Sequence, residues 1–510
     1  MIRARVRSVA TALRRSDPAL RAVLAEGFFT RLGFGIVTFA LPLYAIELGM
    51  SLTEVGLIAG AKAIVQPAVK PLMGVVVDRF GARRGYLAAV VLRFLASLVL
   101  LVATTPVTLV AVRLLQGTAS AARDPASITV LARPGRRRLG QTFSLAIGAK
   151  DLGNVSAGAV AGGLLAATGG SFTPLWWLVV VLAALSVIAV WSGIPGVGVA
   201  AVPVHEGARG SIEMHVSGRF NADGAIRIAR DPRLRLVAAL GLSAGLTAHM
   251  THGLFQVYAA EIAGLDPGRI GFIYSLSVAS LLVLGPLAGA IADRIGTERL
   301  ATVRGIANAA SSLVYAVLPF YGGVLGGRLI DDAGKAAFRP TWGALVGDAA
   351  RSAGPRGGRV AGSLDAALSL GEAVGPLMAG LIWDIAGVGA FFAVRAILGL
   401  STELVLGRAL RRTPAARVDV VTVRDLLQRA WPGEPHEELV RVWYDHGLDR
   451  TVGRLSEHLD TPLDALPEGQ GHAVERAASA RTELGGLPLA CSPGGAVRWE
   501  AGIWRAPARL

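Results

Sequence analysis

Residues 70–84 read KPLMGVVVDRFGARR, and residues 285–299 read GPLAGAIADRIGTER. The second copy lies 215 residues after the first, since Asp293 corresponds to Asp78 at that offset. In each copy an apolar run ends in a Gly-x-x-x-Asp-Arg-x-Gly turn, and arginine follows the turn. Self-similarity at a fixed offset is the mark of a duplicated structural unit. The stretch therefore predicts two related halves joined in tandem.

The composition indicates the environment of these halves. Of the 510 residues, 53% are hydrophobic and only 17% are charged, whereas soluble domains carry about a quarter charged residues. Apolar runs close to the ~20 residues needed to cross a bilayer recur throughout the chain. The sequence predicts a polytopic membrane protein, and duplicated membrane halves are typical of alternating-access transporters.

The apolar runs predict twelve membrane spans. They cover residues 20–46, 53–77, 85–105, 107–130, 140–167, 172–193, 233–260, 267–292, 300–319, 322–347, 360–384 and 388–409. Basic residues are concentrated in alternate loops, beginning with the N-terminus, and the other loops are nearly free of them. Because cytoplasmic loops carry the excess of lysine and arginine, we expect a multi-pass protein of the cytoplasmic membrane with both termini in the cytoplasm.

These spans define the expected domains. The predicted order is a cytosolic basic N-terminus (1–19), a six-helix bundle (20–193), a cytosolic central linker (194–232), a second six-helix bundle (233–410) and a cytosolic extension (411–510). Stretches 420–430, 435–446, 448–460 and 470–483 of the extension have amphipathic helical patterns. The expected fold class is an all-α integral membrane protein. It has twelve transmembrane helices in two pseudo-symmetric six-helix bundles and a C-terminal cytosolic helical extension.

Several classes of function are disfavoured. A net charge of +15 suggests nucleic acid in a soluble protein, but here the arginines lie in short loops where they orient the chain, so we expect no nucleic-acid partner. The single Cys491 excludes a multi-thiolate metal site, and no metal is predicted. Gly334 and Lys335 are followed by Ala336, so a Walker-type loop is absent. No nucleophile–base arrangement indicates an enzyme, and we expect no cofactor, with a proton gradient as the energy source.

The duplicated turn resembles the motif between helices 2 and 3 of the major facilitator superfamily. Ala82 and Glu298 depart from that motif, which favours basic residues at these places. The resemblance implies that the turn is a conformational latch, which biases the populations of states without touching substrate. The implied latch residues are Gly74, Asp78, Arg79, Gly81, Arg83, Arg84, Gly289, Asp293, Arg294, Gly296 and Arg299.

Span 4 contains a second resemblance to the superfamily. Residues 113–121, RLLQGTASA, resemble the Arg-x-x-Gln-Gly pattern that many members use in proton coupling, and the 215-residue offset places Arg328 opposite Arg113. A charged side chain inside a span is costly and usually faces a partner or a wet cavity. Arg113 is therefore predicted to control coupling, and a structural arginine bonded to backbone is the alternative.

Span 10 carries the strongest chemical candidates. Arg328, Asp331 or Asp332, and Lys335 are three or four residues apart, so they share one helix face. The resemblance implies that spans 1, 4, 7 and 10 line a central cavity. An aspartate held in low dielectric beside cations can take up or release a proton as its partners change. We predict Asp331 or Asp332 as the proton carrier, and a network that only neutralises itself is the alternative.

Other polar residues within spans are further cavity candidates. Arg31 lies in span 1, and Lys62 lies in span 2. His249 and His252 are three residues apart in span 7, where histidine suits proton relay. A hydrogen-bonded histidine pair without a relay role is the alternative.

Small residues in spans 5 and 11 predict close helix packing and a bend point. They are Gly158, Gly162, Gly163, Gly375, Pro376 and Gly380. Exporters of the superfamily often carry Gly-Pro-x-x-Gly-Gly in span 5. The first half lacks this proline and the second half has it, so the motif only partly favours export.

The leading prediction is a proton-coupled exporter of small organic molecules, in which protonation of Asp331 or Asp332 exchanges against cargo. Its partners are a small-molecule substrate, protons and the lipid bilayer, and we expect a monomer. One alternative is a proton symporter that imports an anionic metabolite. It is favoured if several of the cations Arg31, Lys62, Arg113, Arg328 and Lys335 face one cavity. The other alternative is a non-transporting membrane sensor or scaffold. In such a protein, internal salt bridges would collapse the cavity.

Overall fold

The computed structural model describes residues 17–132, 139–194, 226, 228–295, 297–353, 357–413, 420–421 and 504–505. Within these ranges the side chains of residues 66–68, 70–80, 139–141, 292–295, 297–302, 351–352, 403, 411, 420–421 and 504–505 are not described. The described chain is almost entirely helical, which confirms the predicted all-α class.

The first half of the chain forms regular helices. In the described residues these are α1 (Pro18–Glu47), α2 (Leu52–Phe80), α3 (Ala82–Leu100), α4 (Pro106–Leu131), α5 (Leu139–Ala167) and α6 (Thr173–Gly193). Side-chain caps mark two of their starts. The Asp17 carboxylate accepts a hydrogen bond from the Ala19 amide at 3.0 Å, and Thr105 and Thr108 form a reciprocal capping box at α4. Such caps satisfy amides that the first helical turn leaves unpaired.

The second half contains more interrupted helices. They are α7 (Pro232–His249), α8 (Leu254–Val257) with the π-helical turn Tyr258–Ile262, α9 (Pro267–Ile295), α10 (Thr297–Val317), α11 (Tyr321–Ser352), α12 (Gly357–Ser401) with the π-helical turn Thr402–Gly407, and α13 (Arg408–Arg412). Gly253, with φ of +88°, lies in the break between α7 and α8. Gly387, with φ of +82°, interrupts α12. Both breaks fall at glycines because the left-handed region is sterically open to glycine.

The helices coincide with the predicted spans. In the described residues, five helical stretches are long and apolar enough to cross a bilayer. They are Pro18–Glu47, Thr173–Gly193, Pro232–Ile262, Pro267–Ile291 and Gly357–Leu410. The described helices outside this set of five include α4 and α11. Both carry charged residues in their middle turns, which lowers their hydropathy. The count of twelve crossings stays a prediction.

Large apolar side chains lie on the outer surface of the protein, and charged side chains lie in its interior. Trp177, Ile188, Val283 and Ile397 are each more than half exposed on the outer faces of the helices. The interior, in contrast, holds fully or almost fully buried charged side chains, which are Glu26, Arg113, Arg123, Arg304, Asp331, Asp332 and Arg395. Lipid tails accept an apolar outer surface, and charged groups within a membrane protein face its interior.

The C-terminal extension is described at one strand pair. Val420–Val421 pair in antiparallel fashion with Trp504–Arg505. We predicted a helix beginning at Val420, and that start is wrong, because both residues belong to the strand pair. The remaining predicted helices of the extension lie outside the described residues, and so do most of the N-terminal segment and the central linker.

The two halves meet at two glycine contacts that the duplication relates. A Cβ on Gly271 of α9 would lie 2.3 Å from the carbonyl oxygen of Gly158 on α5. In the other contact, a Cβ on Gly56 of α2 would lie 2.2 Å from the carbonyl oxygen of Pro376 on α12, and one on Gly60 would lie 2.2 Å from that of Ala373. Gly271 follows Gly56 by 215 residues, and Ala373 follows Gly158 by the same offset. The halves therefore face each other with equivalent surfaces.

Candidate functional site

Asp331 is the centre of a buried charge cluster in the second half. Its carboxylate is fully buried. Lys335 Nζ lies 2.7 Å from Oδ2, and Arg395 Nη2 lies 2.6 Å from Oδ1. Arg304 Nη1 lies 3.3 Å from the same Oδ1. Three cations from α10, α11 and α12 thus surround one carboxylate, which ties these helices together.

Arg395 is fixed by many further hydrogen bonds. Its Nη1 donates to Ser311 Oγ at 3.0 Å and to Ser312 Oγ at 2.9 Å. Its Nη2 donates to Asn308 Oδ1 at 2.9 Å, and its Nε donates to the carbonyl oxygen of Thr247 at 3.0 Å. A guanidinium held from so many directions has little freedom to move, so the Asp331–Arg395 pair is a rigid part of the cluster.

Asp332 is equally buried but more loosely paired. Lys335 Nζ lies 3.5 Å from its Oδ1, and Arg328 Nε lies 3.7 Å from its Oδ2. Arg328 in turn donates from Nε to Ser277 Oγ at 2.8 Å, and its guanidinium lies 4.6 Å from the centroid of the Phe255 ring. Both partners of Asp332 therefore have other contacts, and the carboxylate holds neither of them closely.

The first half contains a different buried pair, Glu26 and Arg123. Arg123 donates from Nε and Nη2 to the two oxygens of Glu26, each at 2.6 Å. Tyr86 Oη donates to Glu26 Oε2 at 2.6 Å, and Thr30 Oγ1 donates to Oε1 at 2.8 Å. The two-point geometry and the added donors make this pair fully satisfied in the interior.

A polar cavity of about 160 Å³ lies next to this pair, between α1, α2, α3 and α4. Cationic side chains dominate its walls: Arg31, Lys62, Arg93 and Arg123 line it together with Asp124, Thr30, Ser120 and Phe34. Lys62 Nζ lies 3.6 Å from the centroid of the Phe34 ring. Arg93 Nη2 donates to Ser120 Oγ at 2.7 Å. Of the predicted cavity residues, Arg31 and Lys62 are thus brought together here.

Arg113 lies near this cavity but does not line it. Its Nη1 donates to Gln116 Oε1 at 3.3 Å within α4, and its guanidinium lies 5.8 Å from the Phe34 centroid. It borders a smaller pocket together with His252. The rings of His249 and His252 lie 5.4 Å apart, and His249 Nδ1 lies 3.0 Å from the carbonyl oxygen of Gly245. His252 therefore lies beside Arg113 at the smaller pocket, with His249 next to it. Neither histidine lines the four-cation cavity.

The contacts between the halves lie at the helix ends next to the arginine-poor loops. Besides the glycine contacts, Asp384 of α12 accepts hydrogen bonds from the amides of Leu52 and Thr53, at 3.1 and 2.8 Å. These amides form the start of α2, so a carboxylate of one half caps a helix of the other. On this side the described halves are in direct contact.

The remaining predicted packing and latch residues differ in what surrounds them. A Cβ on Gly162 would lie 2.3 Å from Pro267 O, one on Gly375 would lie 2.5 Å from Leu246 O, and one on Gly380 would lie 2.1 Å from Leu52 O. A Cβ on Gly163 or Gly289 would meet nothing within 4 Å.

Of the latch, Gly81 precedes α3 with φ of +86°, and Arg83 Nη2 donates to the carbonyl oxygen of Trp191 at 3.3 Å. Arg84 is exposed. The side chains of Asp78, Arg79, Asp293, Arg294 and Arg299, and the contacts of Gly74 and Gly296, lie outside the described residues.

Comparison with known families identifies the fold. The sequence model of the Major Facilitator Superfamily matches residues 25–326 and, separately, residues 237–443. The chain belongs to this superfamily. It is therefore a multi-pass membrane transporter and not an enzyme.

Relatives within the superfamily include two resistance proteins. Multidrug resistance protein 2 of Bacillus subtilis (strain 168) is 23% identical over 365 residues, which are 71% of this chain and 88% of that protein. Puromycin resistance protein pur8 of Streptomyces alboniger is 35% identical over 150 residues, which are 29% of each chain.

Solved structures of the same fold include the nucleoside transporter NupG, with a TM-score of 0.65, 16% identity and coverage of 77% of this chain and 98% of that one. The human organic anion transporter MFSD10 has a TM-score of 0.50 and 19% identity, with coverage of 76% and 99%.

Sequence reasoning missed five charged members of these clusters. Arg304 and Arg395 were not assigned to Asp331, and neither Glu26–Arg123 nor Arg93 was predicted at a site. Each of them is a charged residue inside an apolar span of this superfamily member, which is a usable signal. The signal identifies the residues but not their partners, because these lie on other helices.

Proposed function

We propose that the chain is a secondary transporter with twelve membrane-crossing helices that exports small organic molecules in exchange for protons. It works by alternating access in the cytoplasmic membrane. The observation that carries the proposal is the placement of buried ionisable groups in both halves around a polar interior, while the halves touch at their arginine-poor ends. By the positive-inside rule those ends face outward, so the described halves are in contact on the outer side in this conformation.

Asp332 is the better candidate for the proton carrier. Asp331 has partners at 2.6 and 2.7 Å, whereas those of Asp332 lie at 3.5 and 3.7 Å. A proton bound to an Asp332 oxygen removes one negative charge from the cluster and weakens the attraction for Arg328, while Lys335 keeps its 2.7 Å pair with Asp331. Loss of that proton restores the attraction for Arg328, so protonation and the arrangement of the Arg328 side chain are linked.

The relatives support the choice of cargo and direction. Two of them are named for resistance to drugs, and resistance by a transporter requires removal of the compound from the cell. Energy from a proton gradient fits a superfamily member that has buried carboxylates paired with movable cations.

A second candidate is import of an anionic metabolite together with protons. It is favoured by the cavity that brings Arg31 and Lys62 together with two further arginines. The non-transporting sensor is not favoured, because it requires a cavity collapsed by internal salt bridges, whereas the side chains of the first half enclose a cavity of about 160 Å³.

The test is transport by the purified full chain in proteoliposomes with an imposed pH gradient, using a panel of drugs and metabolites. We expect Asp332→Asn to abolish gradient-driven accumulation while substrate counterflow without a gradient persists. Asp266→Asn, which changes an exposed carboxylate at the start of α9, is the matched control and is expected to retain both. Full gradient-driven transport by Asp332→Asn would reject Asp332 as the carrier, and uptake in the direction of the proton flux would favour import.

A further inference from the structure

We infer that the cavity between α1, α2, α3 and α4 is a subsite for the anionic group, carboxylate or phosphate, of the transported molecule. The inference rests on the proposed function, because it names the class of cargo. It begins from the charges of the walls. Four cations, Arg31, Lys62, Arg93 and Arg123, line the cavity against a single carboxylate, Asp124.

Two carboxylates at this cavity, Glu26 and Asp124, are bound by the same cation. Arg123 makes the two 2.6 Å contacts with Glu26, and its Nη1 lies 3.5 Å from Asp124 Oδ1. Arg31, Lys62 and Arg93 form no ion pair with any described side chain. The cavity therefore presents three cations that have no carboxylate within ion-pair distance among the described side chains, and the charges of Glu26, Asp124 and Asp151 reach Arg31 only from further away.

Two of these cations, Lys62 and Arg93, are oriented by contacts that carry no negative charge. Lys62 lies over the face of Phe34 at 3.6 Å, and the guanidinium of Arg93 lies 5.9 Å from the same ring. Arg93 also donates to the Ser120 hydroxyl. An aromatic ring and a hydroxyl orient cations but supply no negative charge. Orientation before binding lowers the entropy lost when a ligand is captured.

An anion is the ligand that this arrangement favours. Like charges enclosed in the interior of a membrane protein are unfavourable unless a partner balances them. Guanidinium groups donate two parallel hydrogen bonds to a carboxylate or a phosphate, and lysine adds a point charge. A neutral ligand of the same shape would leave the three cations unpaired, so charge is the property that the cavity selects.

The volume indicates how much of the ligand enters. The cavity measures about 160 Å³, whereas sites that enclose a whole drug-sized molecule occupy ~300–1,000 Å³. It therefore accommodates a small anion or the anionic end of a larger molecule, whose remaining part lies outside the cavity. The cargo class is an organic anion with one compact charged group.

The test is thermal stabilisation of the purified full chain in detergent by benzoate, by inorganic phosphate and by benzamide, the neutral analogue of benzoate. We expect at least one of the two anions to raise the melting temperature in a saturable way, and benzamide to have no effect. Benzoate alone indicates a carboxylate, and phosphate alone indicates a phosphate. Equal stabilisation by benzamide, or none by either anion, overturns the inference.

Variants connect the effect to the cavity. Arg93→Gln and Lys62→Met are expected to weaken anion binding about tenfold or more, the size of one charge-assisted hydrogen bond, while Arg93→Lys restores part of it. Arg269→Gln removes an exposed arginine from α9 and is expected to bind like the unmodified chain. Unchanged affinity in Arg93→Gln and Lys62→Met contradicts the subsite, provided both elute as the unmodified protein does in gel filtration.

The subsite and the proposed function fail in different ways. Anion binding with no gradient-driven transport in proteoliposomes would leave the subsite standing and reject the transport mechanism. Gradient-driven transport of neutral or cationic compounds, with no anion binding, would leave the transporter standing and reject the subsite.

Discussion

Glu26 shows how a carboxylate is accommodated in the interior of this protein. It is fully buried, yet it accepts two hydrogen bonds from Arg123, one from Tyr86 and one from Thr30. A buried carboxylate is tolerated where a cation balances its charge and hydrogen-bond donors satisfy the lone pairs of its oxygens. The same reasoning distinguishes the two aspartates of α11. Asp331 has cations at 2.6 and 2.7 Å, whereas the cations nearest to Asp332 lie at 3.5 and 3.7 Å.

Removal of one partner from the Glu26 pair has a predictable consequence. Glu26→Gln leaves the buried Arg123 charge with only the more exposed carboxylate of Asp124, at 3.5 Å, and we expect a loss of about 3–5 kcal/mol of stability. The double variant Glu26→Gln/Arg123→Met removes both charges and is expected to recover most of that loss. Thermal unfolding in detergent measures both.

The control for that comparison is Glu54→Gln. The Glu54 carboxylate lies at the start of α2, where it accepts a hydrogen bond from the Ser51 amide in an exposed position. We expect a change below about 1 kcal/mol, as is usual for exposed charges. If Glu26→Gln is no more damaging than Glu54→Gln, the pair does not stabilise the first half.

The spacing of residues along one helix predicted part of the Asp331 cluster, but it did not predict the partners that come from other helices. Arg328, Asp331 and Lys335 lie three and four residues apart, so their shared face could be derived from the helical period alone. Arg395 reaches Asp331 from 64 residues further along the chain. Which faces of two helices meet depends on packing and rotation about the helix axes, which a single sequence does not contain.

At the level of elements, the positions of the helices could be predicted and their interruptions could not. The apolar runs placed α1 and α6 within a few residues of their observed bounds. The break at Gly253 lies within the predicted span 233–260, and the π-helical turn Tyr258–Ile262 overlaps the end of that span. Hydropathy averages over such local changes of backbone, because the residues remain apolar throughout.

The contact between α5 and α9 depends on glycine at both faces. Gly271→Ala adds a methyl group 2.3 Å from Gly158 O, so the halves must separate where they now touch. Overpacking of this kind costs about 1–3 kcal/mol, which we expect to depopulate the conformation closed on the arginine-poor side. Substrate counterflow is expected to slow accordingly, because every cycle passes through that conformation.

Gly163→Ala is the matched control for this contact, since a Cβ there has open space. It lies on α5, the helix that Gly271 contacts, one residue beyond Gly162, and is expected to transport as the unmodified chain does. Equal rates for Gly271→Ala and Gly163→Ala would mean that backbone contact between α5 and α9 does not limit the cycle.

The molecule as a whole is less symmetric than its duplication suggests. Asp384 of α12 caps α2 across the boundary between the halves. The offset of 215 residues relates Asp384 to Gly169 and Thr53 to Gly268, so the sequence has no carboxylate at the equivalent place in the other contact. One of two related contacts therefore has an electrostatic clamp, and the charge of Asp384 stabilises the closed arrangement of both halves.

We expect Asp384→Asn to increase opening toward the outside about threefold, because a charge at a helix start contributes roughly 0.3–1 kcal/mol. The reporter is Val55→Cys in a Cys491→Ser background. Val55 is buried on α2 beside the pocket of Arg113 and His252, and a membrane-impermeant maleimide reaches it only after opening. Asp266→Asn removes a comparable exposed carboxylate that caps its own helix, α9, within one half. Faster labelling in Asp384→Asn alone supports a clamp between the halves, whereas equal rates in both variants would reduce Asp384 to a local cap.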